Sequence, residues 1–313
     1  MLKFIVFRLA ASLFVICGSS VLVFCILYWL PGDAVLSRLA LGTASPERIA
    51  EIRHGLGLDA PFYQQFGVYF GRMFRGDFGE SLVSAEPVLP KIMEHVPATL
   101  ALALTSTAIS AGLGVLLGVW SAFHRGGAVD AAVRIVGLFG VSMPAFWSGI
   151  MLILLFSVRL GWLPPMGSDG VRTLILPSLT LGIVGTGLIL RMVRSSVLDT
   201  IREPFIVTLR AKGLSERAVM YRHALRNALI PAVTMLGMLV GEMMAGAVVV
   251  ETVFARQGIG RVLADAIAGK DLPVVQGVVV FSAGLYVLVN LLVDLSYMLI
   301  DPRIRRTGIG RGT

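Results

Sequence analysis

Cysteine is nearly absent. Cys17 and Cys25 are the only two, and they share one apolar segment, so neither a disulfide framework nor a thiolate metal quartet is available. Histidine is scarce as well: His54, His95, His124 and His223 stand far apart and outside the apolar runs, which argues against a metal cluster or a Ser/His/Asp hydrolase site within the membrane. Charge is in short supply. Asp, Glu, Lys and Arg make up 15% of the chain, where a soluble globular protein carries roughly 25%. Nowhere does a Gly-x-x-x-x-Gly-Lys-Ser/Thr run occur, so the chain has no phosphate loop of that kind with which to cradle a nucleotide.

Apolar residues are in excess. They reach 56% of 313 residues, with a mean hydropathy of +0.83 and 35 glycines besides. One soluble core cannot hide that much apolar surface. Lipid must solvate much of it, which excludes a soluble enzyme, a disordered chain and a disulfide scaffold. A spanning helix needs about 20 apolar residues to cross roughly 30 Å of hydrocarbon. Six stretches qualify: 9–30, 98–122, 135–158, 174–190, 228–250 and 274–300. Without water in the hydrocarbon the backbone of each must be helical, so the expected fold is all-α with six transmembrane helices. The first run follows Lys3 and Arg8, as a signal peptide would, but it is longer than a signal core and ends in Leu30-Pro31-Gly32-Asp33. It reads as a retained anchor.

Charge distribution orients the spans. The net charge is +8, and Lys and Arg concentrate in segments 1–8, 123–134, 191–227 and 301–313, eight of them in 191–227 alone. The positive-inside rule puts these segments, and with them both termini, in the cytoplasm. Basicity is then explained by topology, and nucleic acid is not an expected partner. The expected division is a first anchor helix (1–30), an external cap (31–97), a five-span core (98–300) with a cytoplasmic loop (191–227), and a basic tail (301–313).

The external segment carries helix punctuation. Ser45-Pro46-Glu47 is a start signal closed by Gly55 or Gly57. A second helix begins near Asp59-Ala60-Pro61, carries Phe62, Tyr63, Phe66, Tyr69, Phe70 and Phe74, and stops at Gly76. Its aromatic residues either lie along the membrane interface or pack the segment on the spans. In the cytoplasmic loop, Glu203-Pro204 starts a short helix, Gly213 permits a turn, and Ser215-Glu216 starts another helix that carries Tyr221, Leu225 and Arg226 towards Pro231.

Three acids fall in apolar runs. An ionised side chain in hydrocarbon costs several kcal/mol, so Glu242, Glu251 and Asp294 must face protein, water or a partner. Glu242 suits a solute pathway or a bond to a neighbouring helix, Glu251 a structural or gating bond, and Asp294, four residues after Asn290, helix–helix contact. Glycines recur on the spans at 112, 114 and 118, at 182, 185 and 187, and at 237, 241 and 246. They serve close packing or sliding interfaces.

The run Arg210-Ala211-Lys212-Gly213-Leu214-Ser215-Glu216, followed by His223-Ala224-Leu225-Arg226-Asn227-Ala228-Leu229-Ile230-Pro231, resembles the coupling loop of ABC importer permeases, more narrowly the dipeptide/oligopeptide/nickel permease family. Ordered matches cover nearly the whole chain: Gly57-Leu58-Asp59, Gly76-Asp77-Phe78-Gly79-Glu80-Ser81, Pro97-Ala98-Thr99-Leu100, Gly140-Val141-Ser142-Met143-Pro144, Leu176-Pro177-Ser178-Leu179, Val249-Val250-Glu251-Thr252-Val253-Phe254 and Asp301-Pro302-Arg303-Ile304-Arg305. There are departures. Leu209 stands where the family has a small alanine, and Ala255-Arg256-Gln257 replaces an aromatic residue followed by Trp-Pro.

The resemblance implies a type I importer permease that pairs with a second permease subunit, two ATPase subunits and an extracytoplasmic solute-binding protein. It implies no cofactor on this chain, ATP and Mg being used by the ATPases. Ala211, Lys212, Gly213, Leu214, Ser215, Glu216 and Arg217 would couple to the ATPases. Glu242, Glu251, Asp294, Ser142 and Met143 would line the pathway, and Asp77, Phe78, Arg256 and Arg261 would face the binding protein. Di- or oligopeptides are the expected cargo, with nickel, glutathione and opines as alternatives in the same family. An ion-coupled secondary transporter and an intramembrane enzyme are the alternatives of other classes. An internal repeat, which would favour the former, is not evident.

Overall fold

A computed structural model of the chain describes residues 2–29, 54 and 59–300, with the side chains of 8, 10–29, 54 and 59–293. The expected helix after Ser45, the tail from 301 and the side chain of Asp294 lie outside the described residues.

Apolar runs become helices, and the helices outlast them. In chain order, α1 is Leu2–Trp29, α2 is Phe62–Met73 and α3 is Val88–Phe123. They are followed by α4, Ala128–Ser142, and α5, Ala145–Leu152, which continues as a π-helical stretch Ile153–Arg159. Next come α6, Arg172–Thr200, and α7, Pro204–Ala211. A π-helical turn Ala218–Ala224 runs into α8, Leu225–Ala228, and then α9, Ile230–Val253. Last are α10, Ile259–Ala268, and α11, Leu272–Ile300. Among the described residues five helices are long and apolar enough to cross a membrane, and a sixth crossing is reached if the bent pair Ala128–Ser142 and Ala145–Arg159, which meet at 109°, counts as one span.

The third apolar run, 135–158, is helical on either side of this break. Pro144 has no backbone N–H and pushes the residue before it out of the helical region. Met143 is accordingly extended, with φ −83° and ψ 132°. The chain turns there, and α5 restarts with the Ser148 N–H donating to the Pro144 carbonyl at 3.1 Å.

Cα packing divides the chain into two compact units: Met1–Ala98 with Gln257–Leu288, and Thr99–Arg256 with Val289–Thr313. In the first, the aromatic residues of α2 pack on α1, as the packing reading expects. Phe24 sits 5.5 Å from Phe62, 5.4 Å from Phe66 and 5.3 Å from Tyr69. Beneath them Val88 and Ile92 of α3, Ile259 and Val262 of α10 and Val274 and Val278 of α11 form an apolar core. Gly277 lets α11 come against Phe78 and Val88, since a Cβ there would sit 2.6 Å from the Val88 Cγ1. Asp271, 4% exposed, anchors the loop before α3: the Ser81 hydroxyl and the Leu82 N–H (3.0 Å) both donate to its carboxylate.

In the second unit α6 is the central element. Leu176, Ile189, Leu190, Val193 and Val197 are almost fully buried along it. Glycines on both sides of its contacts admit the neighbours: a Cβ on Gly114 of α3 would lie 2.6 Å from the Ile189 Cβ of α6, and one on Gly187 of α6 would strike the Gly137 carbonyl of α4. Gly114, Gly118, Gly182, Gly185 and Gly187 thus stand at close helix contacts, and Gly112 does not.

Candidate functional site

The segment after α6 is built on a small core of its own. Ile206, Val219 and Ala224 are fully buried, with Ile201, Leu209 and Leu214 packed against them. Pro204 occupies the first turn of α7, where its missing N–H costs nothing, and Glu203 before it is extended. The helix ends in a Schellman turn. Gly213, at φ +79°, donates its N–H to the Arg210 carbonyl at 2.9 Å, and Leu214 donates to the Leu209 carbonyl at 3.4 Å. Leu209 and Leu214 bury themselves in the same cluster, which is the apolar contact such a turn uses. Leu209, where the family has alanine, therefore faces the inside of this segment rather than a partner surface.

Lys212, Gly213, Ser215, Glu216 and Arg217 are exposed around that turn, and Ala211 closes α7 beside them. The span 211–216 is the end of one helix, a turn and the start of the next, not a helix in itself. The Ser215 hydroxyl accepts the Ala218 N–H at 3.4 Å and caps the following turn. Arg210 grips Glu216 across the turn with two hydrogen bonds, 2.6 Å and 3.1 Å. The guanidinium holds the Glu216 carboxyl below its usual range. This fork braces the turn geometrically but adds little stability, because both groups are solvated. Tyr221 packs edge-on against Phe123 at 5.1 Å, joining the segment to the end of α3.

The expected pathway residues separate. Glu242 is exposed midway along α9, on a stripe with Thr234, Met238, Ala245, Val249 and Thr252 that turns away from the chain's own packing. Glu251 is fully buried and accepts the Thr99 hydroxyl at 2.6 Å. It ties α3 to α9, as the structural-bond alternative for this residue expects. Ser142 is exposed and Met143 half-buried at the α4–α5 break, where the helix end presents free backbone carbonyls.

The outward-facing set divides as well. Asp77 is exposed and accepts the Gly79 N–H at 2.9 Å. Phe78 packs against the first unit's core. Arg261 pairs with Asp265 at 3.5 Å. Arg256, expected on the surface, is 5% exposed. Burial lowers its guanidinium from the usual range, partly offset by the charge of Glu251.

Sequence reasoning missed one cluster. Asp130, 1% exposed, accepts from Arg194 at 2.8 and 2.9 Å, from Ser121 at 2.5 Å and from the Gly126 N–H at 3.0 Å. Four donors converge on one carboxylate and fasten the α3–α4 turn to α6. Asp130 reads as a loop acid in sequence, since nothing local links it to residue 194.

Comparison with known proteins bears on this arrangement. Residues 114–306 match the family described as binding-protein-dependent transport system inner membrane component, and residues 1–103 match its N-terminal membrane component. The chain is 42% identical to the di/tripeptide transport system permease protein DppB of Pseudomonas aeruginosa, over 97% of this chain and 99% of that protein. It is 40% identical to the glutathione transport system permease protein GsiC of Escherichia coli, over 97% and 99% of the two chains. A solved structure of the MetNI methionine ABC transporter in inward-facing form is similar with a TM-score of 0.60 and 20% identity, covering 69% of this chain and 99% of that one.

Proposed function

The chain belongs to the family of binding-protein-dependent transport inner membrane components, and from that premise we propose that it is a permease subunit of an ATP-driven importer of short peptides. The observation that carries the cargo class is the 42% identity, over nearly the full length of both chains, to a di/tripeptide permease. In this reading a second permease completes the pathway, two ATPases hydrolyse ATP with Mg on the cytoplasmic side, and an external binding protein delivers the peptide. Both termini face the cytoplasm, on the strength of the Lys and Arg distribution.

The turn Lys212–Leu214 and its flanking residues Ala211, Ser215, Glu216 and Arg217 seat on an ATPase. The Schellman turn fixes their shape before any partner arrives, so little ordering entropy is lost on docking. When the ATPases close, the seated turn moves. The π-helical stretch and α8 carry that motion into α9, which bears Glu242. On the outer face, Asp77, which is exposed, and Arg261, which is half-buried and paired with Asp265, are the groups offered to the binding protein.

The test is a mild-detergent pull-down of the tagged chain from its own cells, followed by reconstitution. An ATPase pair and a second permease should co-purify, and dipeptide uptake should require ATP and the binding protein. Recovery of the chain alone, with ATP-independent transport, would overturn the reading. A second cargo, glutathione, is favoured by the 40% identity to a glutathione permease. Competition of unlabelled glutathione against dipeptide uptake separates the two.

A further inference from the structure

Between the Schellman turn and the start of α9 lies a cleft of about 480 Å³ lined by Arg222, His223, Arg226 and Asn227. Its chemistry is that of an anion site. Arg222 and Arg226 stand one turn apart where the π-helical stretch passes into α8. Among the described residues neither guanidinium has an acid or a hydrogen-bond acceptor, whereas Arg194 and Arg210 are each engaged by a carboxylate. Asn227 is held in place by its amide, which donates to the His223 carbonyl at 2.9 Å. No acidic residue lines the cleft.

Position narrows the anion. The apolar span Ile230–Val253 begins four residues after Arg226. Two large apolar side chains adjoin the cleft residues in sequence and are exposed, Tyr221 at 59% and Ile230 at 43%. A tyrosine beside a basic cluster at the mouth of a span is the composition of a headgroup-level surface. Arginine forks match phosphate oxygens, and basic pockets at the cytoplasmic ends of spans hold anionic headgroups. We propose that this cleft binds the phosphate of an anionic phospholipid, with Arg222 and Arg226 on the phosphate oxygens and Tyr221 and Ile230 against the glycerol and upper acyl chain. The leaflet it addresses follows from the orientation proposed above. Binding itself does not depend on that orientation.

The test is native mass spectrometry of the full chain, with the subunits that co-purify, in non-ionic detergent. Phosphatidylglycerol, phosphatidylcholine or inorganic phosphate is added in turn. Phosphatidylglycerol should be retained in preference to phosphatidylcholine. Arg222→Gln/Arg226→Gln should weaken its retention about thirtyfold. Arg222→Lys/Arg226→Lys should keep most of the binding, and Arg202→Gln, on the same loop, all of it. Equal retention of the two lipids would overturn the proposal without recourse to any variant. So would undiminished phosphatidylglycerol binding by the Gln variant, or millimolar inorganic phosphate displacing the lipid completely. Loss of the ATPases from the Gln variant with lipid binding intact would assign the cleft to a subunit interface instead. Because the assay reads lipid rather than transport, a wrong cargo assignment leaves its outcome unchanged.

Discussion

At the residue scale, Gly213 separates two demands that sequence alone merges. Its φ of +79° suits glycine, while a Cβ built there would meet nothing within 4 Å. Backbone strain is therefore the only intrinsic cost of a side chain, about 1–2 kcal/mol for an ordinary residue and less for Asn or Asp, which visit this region. Gly213→Asn should keep the turn and most uptake. Gly213→Val should lose the turn. Gly213→Asp should keep the turn and insert normally, yet abolish uptake, because it puts a charge on the surface proposed to seat the ATPase. Uptake assays with immunoblots of the membrane fraction check all three, and normal uptake by Gly213→Asp would sink the coupling assignment. Asp130 makes a different kind of demand. Removing one partner of a buried pair leaves an uncompensated charge, so Asp130→Ala should cost about 3 kcal/mol. The double variant Asp130→Ala/Arg194→Met should recover part of it. Denaturation of the purified chain in detergent would measure both, and additivity of the two single changes would refute a direct interaction.

At the scale of elements, small residues set how closely helices approach, and the structure tells the tight glycines from the idle ones. Gly187→Ala should push α4 off α6 and cost about 1–3 kcal/mol. Gly112→Ala, with open space around its Cβ, should be neutral or stabilising by up to about 1 kcal/mol through helix propensity. Equal losses of thermal stability in the two purified variants would defeat this distinction. Sequence could not rank these glycines, because each one's neighbour belongs to another helix. It did locate all six apolar runs, since mean hydropathy alone reports what lipid can solvate. It placed the Gly213 turn too, because Glu203-Pro204 and Ser215 are local signals that act within a few residues. What it mislaid were boundaries and directions. α3 begins at Val88 rather than Ala98, and α6 runs on to Thr200 rather than stopping at Leu190. A helix does not end where its apolar stretch does, as long as charged residues can sit on its solvated faces. The 109° bend at Met143–Pro144 escapes any hydropathy average, because both arms are apolar. Pro144 was the available sign. The burial of Arg256 and the convergence on Asp130 arise from tertiary contacts with no local trace.

For the whole molecule, the question is what the exposed stripe of α9 faces. A span that touched only lipid would keep a carboxylate off that face, since ionising it at mid-membrane costs several kcal/mol. Glu242 stands at the middle of α9 with Thr234 and Thr252 on the same stripe towards either end. Polar groups so spaced suit a water-filled path, and in a permease that pairs with a second copy of its fold that path runs between the two subunits. Peptides carry an ammonium group, and a lysine-bearing peptide carries two. A carboxylate in a partly hydrated path should favour the second charge by about 1–1.4 kcal/mol, which is up to tenfold in apparent affinity. Glu242→Gln should therefore raise KM for a lysine-containing dipeptide by up to about tenfold and leave that for alanyl-alanine within about twofold, with ATP hydrolysis unchanged. Glu242→Leu separates this from burial in an interface. A path-lining glutamate replaced by leucine should lose the preference without gaining stability. A buried structural one should instead stabilise the assembled complex when the charge goes, since an apolar replacement of similar volume no longer has to be desolvated. Raised thermal stability of the purified complex with unaltered KM for both peptides would move Glu242 out of the path and into the contact between subunits.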